Sequence, residues 1–208
     1  MLETNFNQPQ KMKSLRFALR AFAAICVAFF MSSASCDLFQ NADVITFSAE
    51  LEHKFEITEE ADFPNGHNYT SDPADEILDA AKVNSEFAKN ADKIESIKIN
   101  KVTYVLSGYS AQKCGTVAFT NGTLTFSDPD VGGTVNVVKN VSNNNLKGAS
   151  DSGTVYTLDF DQASADAISK LLKEKKKIRI HSAGTLSCTP LFLKVSAKLD
   201  CTITARVL

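Results

Sequence analysis

Ile45, Phe47, Ala49, Leu51, His53, Phe55 and Ile57 alternate without interruption with Thr46, Ser48, Glu50, Glu52, Lys54 and Glu56. Successive side chains of an extended chain point to opposite faces, so period two over 13 residues predicts a strand with one side buried and one side wet. The pattern returns at the end of the sequence. Leu191, Leu193, Val195, Ala197, Leu199, Cys201, Ile203, Ala205 and Val207 alternate with mainly polar partners. A straight strand of that length would exceed about 50 Å. A bend or bulge is therefore expected near 197–200, with the strand serving both sheets. Two such segments commit the domain to sheets.

Between them the signals are shorter. After the polar loop DFPNGHNYTSDP, Asp72 is suited to cap a helix with Pro73 at its first position. Ile77, Ala81, Ala88 or Phe87, Ala91 and Ile94 then recur at helical spacing, although Asn84 allows two short helices instead. Ile97 and Ile99 point one way and Val102, Tyr104 and Leu106 follow in a shifted phase, which predicts a bulge near Asn100-Lys101. In TVAFTNGTLTF, a type I′ turn at Asn121-Gly122 would pair Phe119 with Leu124 and Val117 with Phe126. Strands are expected at 134–138 and 154–160, joined by the polar and mobile loop VSNNNLKGASDSG. A helix from about Ala163 to Lys176, capped by Asp161, precedes the short strand IRIHSA. No regular alternation of strand and helix suggests a parallel sheet. The expected fold is mainly β: an antiparallel β-sandwich of about eight strands with two helical insertions, over residues 44–208.

The beginning of the chain speaks of location. Lys11, Lys13, Arg16 and Arg20 precede an uncharged run from Ala21 to Met31, too short to span a bilayer and followed by small residues. This is the layout of a signal peptide over residues 1–35, and Met12 makes a better initiator than Met1. Ser33-Ala34-Ser35-Cys36 resembles the lipobox of bacterial lipoproteins, with Ser33 where the common pattern prefers Leu. That resemblance is confined to the leader. It implies acylation of Cys36, a tether over residues 36–43 and a membrane-anchored place in a bacterial cell envelope. Cleavage at Ser33-Ala34-Ser35 by the general signal peptidase is the alternative.

Removal of residues 1–35 takes away four of the 22 basic and one of the 24 acidic residues and leaves a charge of about −5. Such a surface does not suit nucleic acid, which calls for a basic face. No second hydrophobic run points to a further membrane span.

Chemistry is sparsely signalled. His53 lies on the apolar face of the first strand as a core or core-edge residue, His67 in a Gly/Asn loop and His181 on the polar side of a short strand. Neither HExxH nor GxSxG is present. His53 and Cys201 share an inward-facing parity, but a buried thiol is inert. Asp128-Pro129-Asp130 with Gly132-Gly133, and Asp159-Phe160-Asp161, offer carboxylates of the kind calcium takes, yet Asp is equally the residue of turns and caps. Lys173-Glu174-Lys175-Lys176-Lys177 reads as the solvated end of a helix. With no Trp and four Tyr, stacking on sugars is poorly provided for.

No metal or cofactor is expected, and no catalytic residue. With Cys36 acylated, Cys114, Cys188 and Cys201 remain for at most one internal disulfide in that domain, which an exported compartment permits. Cys188 and Cys201 are about 40 Å apart along an extended chain, whereas Cys114 and Cys188 sit at strand ends beside Gly or Pro. Cys114–Cys188 is the expected pair and Cys201 a buried free thiol. The leading expectation is a non-enzymatic, lipid-anchored envelope domain that binds an unspecified protein or glycan. The alternatives are a carrier of a small apolar ligand between the sheets and a hydrolase with an unrecognised site.

Overall fold

The computed structural model describes residues 43–130 and 135–207. The signal-peptide and lipobox-like residues, Cys36 and the Gly132-Gly133 pair lie outside the described residues. Among the described residues nine strands form two antiparallel sheets: β1 (Val44–Glu59), β2 (His67–Thr70), β3 (Ile77–Asp79), β4 (Ile94–Ser110), β5 (Phe119–Ser127), β6 (Asn136–Asn143), β7 (Val155–Leu158), β8 (Lys177–Leu186) and β9 (Leu191–Arg206). One sheet has the order β1-β9-β4-β7, and the other β2-β8-β5-β6 with β3 also on β8. β2 and β3 occupy one sheet position, interrupted. Counted so, eight positions divide four and four, with the last strand between the first and the third. That connectivity is an eight-stranded jelly roll, a form of the β-sandwich.

Alternation places the core. Leu51, Phe55, Ile57, Leu193, Leu199 and Ile203 face inward from β1 and β9 and meet Phe126, Ile178, Ile180 and Leu186 of the other sheet. Each fully buried side chain of this size contributes about 1.5–3 kcal/mol relative to exposure.

β9 runs 16 residues in unbroken register with β1, Val44 opposite Arg206 and Glu59 opposite Leu191. The bend expected within β9 is absent, and β9 pairs only within its own sheet. The irregularities fall on its other neighbour. β4 shifts register at Ile99/Lys101, opposite Cys201 and Asp200, where the phase slip was expected, and again near both ends. The extra residue at the central shift, Asn100, is polar and exposed, so the bulge leaves the core alternation of β9 untouched.

Asn121-Gly122 does not make a hairpin turn. β5 runs straight through it, between β6 and β8, and gains one extra residue against each neighbour there. Asn121 adopts the left-handed φ of 49°. The left-handed preference of Asn-Gly that suits a type I′ turn also suits a bulge.

The helical segment expected after Asp72 does not start at Asp72, and it divides at Asn84 into two short helices, the alternative its sequence allowed. Asp72 caps only a 3₁₀ turn, Pro73–Asp75, accepting from the Ala74 N–H at 2.8 Å. β3 follows, and then α1 (Ala80–Val83) and α2 (Ser85–Asn90), separated by Asn84, whose side chain caps the second at 2.9 Å. The segment expected as a mobile loop instead extends β6 and forms α3 (Leu146–Ser152), which buries Leu146 and Ala149. Asn145 caps it and Gly153, at φ 60°, closes it. α4 (Gln162–Lys175) is capped by Asp161 as its sequence predicts.

Candidate functional site

The residues of interest lie where the edge strand breaks. β2 pairs with β8 through Thr70 opposite Ala183, and β3 resumes with Ile77 opposite Arg179. Between them residues 72–75 leave the sheet as the 3₁₀ turn. Ser71 N–H still bonds the Ser182 carbonyl at 2.7 Å, and Ile180 N–H the Glu76 carbonyl at 2.7 Å. The gap thus lies beside His181, with Ser71 and Glu76 as its two posts.

On β8, Ile178, Ile180 and Ser182 point into the core, so Arg179 and His181 share the outer face. Glu76 is 3 % exposed and holds both. Its Oε2 accepts from Arg179 Nη1 at 3.0 Å, and its Oε1 lies 2.5 Å from His181 Nδ1. Ser71 Oγ donates to Glu76 Oε1 at 2.9 Å and accepts from the Ser182 N–H at 2.9 Å. Burial alone would raise the Glu76 carboxyl, but the hydrogen bonds from His181, Ser71 and Arg179 outweigh it and hold the pKa below its ordinary value.

These donors settle the proton on His181. The single Ser71 hydroxyl proton is committed to Glu76, and a carboxylate only accepts, so in the neutral imidazole Nδ1 carries the hydrogen. Nε2 is then an acceptor, and the Thr70 hydroxyl donates to it at 3.4 Å. Opposite His181 and Arg179 stand Thr125 and Ser127 of β5, with Asn136 beyond Ser127 on β6. Together with Asp128 and Asp130 these groups line an open cleft of about 540 Å³ on the outer face of the five-stranded sheet.

Asp128 Oδ1 accepts the Asp130 N–H at 2.9 Å, Asp130 pairs with Lys175 at 2.7 Å, and Arg179 Nη2 donates to the Pro129 carbonyl at 3.0 Å. The carboxylates considered for calcium are thus a turn and an ion pair. Asp161 serves as the cap of α4. Among the described residues no group of three or more His, Cys, Asp or Glu is arranged to hold a metal ion.

The other sequence candidates lie elsewhere. His53 is 8 % exposed. Its pKa is lowered by burial, against the hydrogen bond of the Asp75 backbone, and its Nε2 has no partner. His53 faces Ala197 whereas Cys201 faces Ala49, four residues farther along, so the two do not form a pair. His67 stacks on Phe63 with ring centroids 4.3 Å apart. Lys175 and Lys177 of the basic run are engaged by Asp130 and Asp79. Cys114 and Cys188 are joined by a disulfide, Cα atoms 6.1 Å apart, and Cys201 is a buried free thiol. A cavity between the sheets, lined by Phe55, Tyr104, Leu106 and Phe119 among others, measures about 40 Å³. Small-molecule pockets run to about 300–1,000 Å³.

No family model and no curated protein matches the sequence. Among solved structures the chain is similar to that of Desmodium yellow mottle tymovirus, at 8 % identity and a TM-score of 0.29, over 78 % of this chain and 90 % of that one. Turnip Yellow Mosaic Virus gives 7 % and 0.31, over 79 % and 96 %. The decameric BFDV capsid protein gives 10 % and 0.28, over 77 % and 98 %. Likenesses this distant carry no argument about function.

Sequence reasoning passed over the cleft because Ser71 and His181 are 110 residues apart. One signal was present. In IRIHSA, Arg179 and His181 are two residues apart and share the polar face of a strand.

Proposed function

We propose that this chain is a lipid-anchored binding domain of a bacterial cell envelope, tethered through Cys36, whose ligand enters the polar cleft over β8 and β5. The observation that carries the binding site is the buried Glu76, which fixes Arg179 and His181 at the floor of that cleft. A prearranged floor lowers the ordering cost of binding. The cavity between the sheets holds about 40 Å³, too little for an apolar ligand of ordinary size, which disfavours a carrier reading. The anchor rests on the leader sequence, and several acyl chains on one cysteine give the durable attachment that a single chain does not.

Fractionation of a bacterial host tests the anchor. Wild-type protein is expected in the membrane pellet and to carry acyl chains, with Cys36→Ser released or unprocessed. Recovery of soluble, lipid-free wild-type protein beginning at Asp37 or later would overturn it.

One observation favours a hydrolytic alternative: Thr70 Oγ1, His181 and Glu76 stand in a hydroxyl–imidazole–carboxylate file. It requires covalent labelling of Thr70 by a fluorophosphonate. An unlabelled Thr70 leaves the binding reading in place.

A further inference from the structure

The four-stranded sheet overhangs its partner at one end. Ile45 belongs by alternation to the inward row of Phe47, Ala49 and Leu51, yet it is 39 % exposed, so the opposite sheet does not reach it. Val207 continues the alternation of β9 past Ala205, the residue opposite Ile45, and is 50 % exposed. Val44, opposite Arg206 on the other face, is 40 % exposed. Seven large apolar side chains are exposed among the described residues; these three meet at one tip, and the other four lie on separate segments. Apolar residues scattered singly are ordinary on a surface, whereas a cluster marks a contact.

The tip is also where the chain arrives. Cys36 stands eight residues before Val44, a span of at most about 28 Å when fully extended. β9 is 16 residues long, about 50 Å, so of the two ends of this sheet the overhanging one is held near the anchor. We infer, building on the acylation of Cys36 proposed above, that this tip rests on the lipid surface, with Val44, Ile45 and Val207 entering the headgroup region. Arg206, paired with Glu95, can lay its stem along the apolar side chains and keep its guanidinium at headgroup level. Three partly exposed side chains would not hold a free protein on a bilayer. An anchored domain is already at the surface, where a contact too weak to act from solution suffices to set its orientation.

The sequence contains no Trp, so an indole introduced at the tip is the sole reporter of its kind. Val207→Trp protein, its acyl chains confirmed by mass spectrometry, is reconstituted in phosphatidylethanolamine–phosphatidylglycerol vesicles with brominated chains. Its emission is expected to be quenched relative to unbrominated vesicles. Val155→Trp is the matched control. Val155 is 60 % exposed and stands opposite Val105, itself opposite Ser196. Ser196 is ten residues from Arg206 along β9, about 33 Å, so Val155→Trp should keep its emission. Val44→Asp combined with Ile45→Asp should abolish the quenching of Val207→Trp while leaving the protein in the vesicle fraction. Unquenched Val207→Trp, equal quenching at positions 207 and 155, or quenching that survives the two Asp substitutions overturns the inference and leaves the anchor standing. Blue-shifted emission of Val207→Trp that bromine does not quench assigns the tip to a second copy of the chain and overturns it too. Protein without acyl chains overturns the anchor and this inference with it.

Discussion

Gly122 has no neighbouring space for a side chain. A Cβ added there would lie 2.5 Å from the Val141 carbonyl oxygen and closer still to the Phe119 ring. The first of these is backbone of β6 and cannot move without opening the ladder. Gly122→Ala is expected to cost about 1–3 kcal/mol, as overpacking does, read as a lower denaturation midpoint at unchanged cooperativity. Asn121→Ala removes instead the residue that tolerates positive φ and is expected to cost less. Glu76 gives a pH signature. Its folded pKa is lowered, so its contribution to stability is present above the ordinary value of 4.5 and is lost as pH falls through the folded value. In Glu76→Gln the acid limb of the stability–pH curve should be shallower than in wild type, while neutral-pH stability drops because His181 and Arg179 lose their anion. An unchanged acid limb would show that other carboxylates govern acid unfolding. Cys201 makes a third case. Burial pushes its thiol up to about 12, so Ellman's reagent should leave it unmodified in the native protein and react on unfolding.

At the scale of elements, the disulfide joins the β4–β5 connection to the β8–β9 connection across 74 residues of sequence. Closing a loop of that length in the unfolded chain is worth about 4 kcal/mol on the chain-entropy account. Replacement of both Cys114 and Cys188 by Ala is expected to lower stability by about 2–4 kcal/mol without altering the strand order, measured by denaturant titration with far-UV circular dichroism. Long elements with one wet face were legible from sequence: β1, β9, most of β4, and α4 with its Asp161 cap. β7 fell within the strand expected at 154–160, but the three- and four-residue strands β3 and β2 were not legible, because they hold at most two periods of alternation. Asn121-Gly122 misled because a bulge, like a type I′ turn, asks for a left-handed residue, here Asn121 alone. α3 was hidden in a polar stretch because two buried residues, Leu146 and Ala149, suffice to dock it. The cleft was illegible for another reason: its parts come from both posts of a broken strand and from β8 and β5, and only strand order brings them together.

Over the whole molecule, register fixes which ends lie together. Val44, Arg206 and Ile94 stand at one end of the four-stranded sheet, and Glu59, Leu191 and Ser110 at the other. The disulfide-linked connections belong to the second end, away from the point where the chain enters at Val44. β9 lies between β1 and β4 and supplies much of the core, including Leu193, Leu199 and Ile203. A chain that stops after Ser187 would leave β1 and β4 without their shared partner, so this truncation is expected to yield no cooperative thermal transition. A folded, cooperatively melting fragment would place the core elsewhere. The position of β9 also sets an order in time. In this sequence it is the last strand to leave the ribosome, and its partners β1 and β4 wait some 80 to 150 residues for it. Closure of the four-stranded sheet is therefore delayed until synthesis of the domain is all but finished, and contacts so distant along the chain form slowly. Were the chain exported, as proposed above, that delay would keep the nascent polypeptide open while it threads a secretion channel.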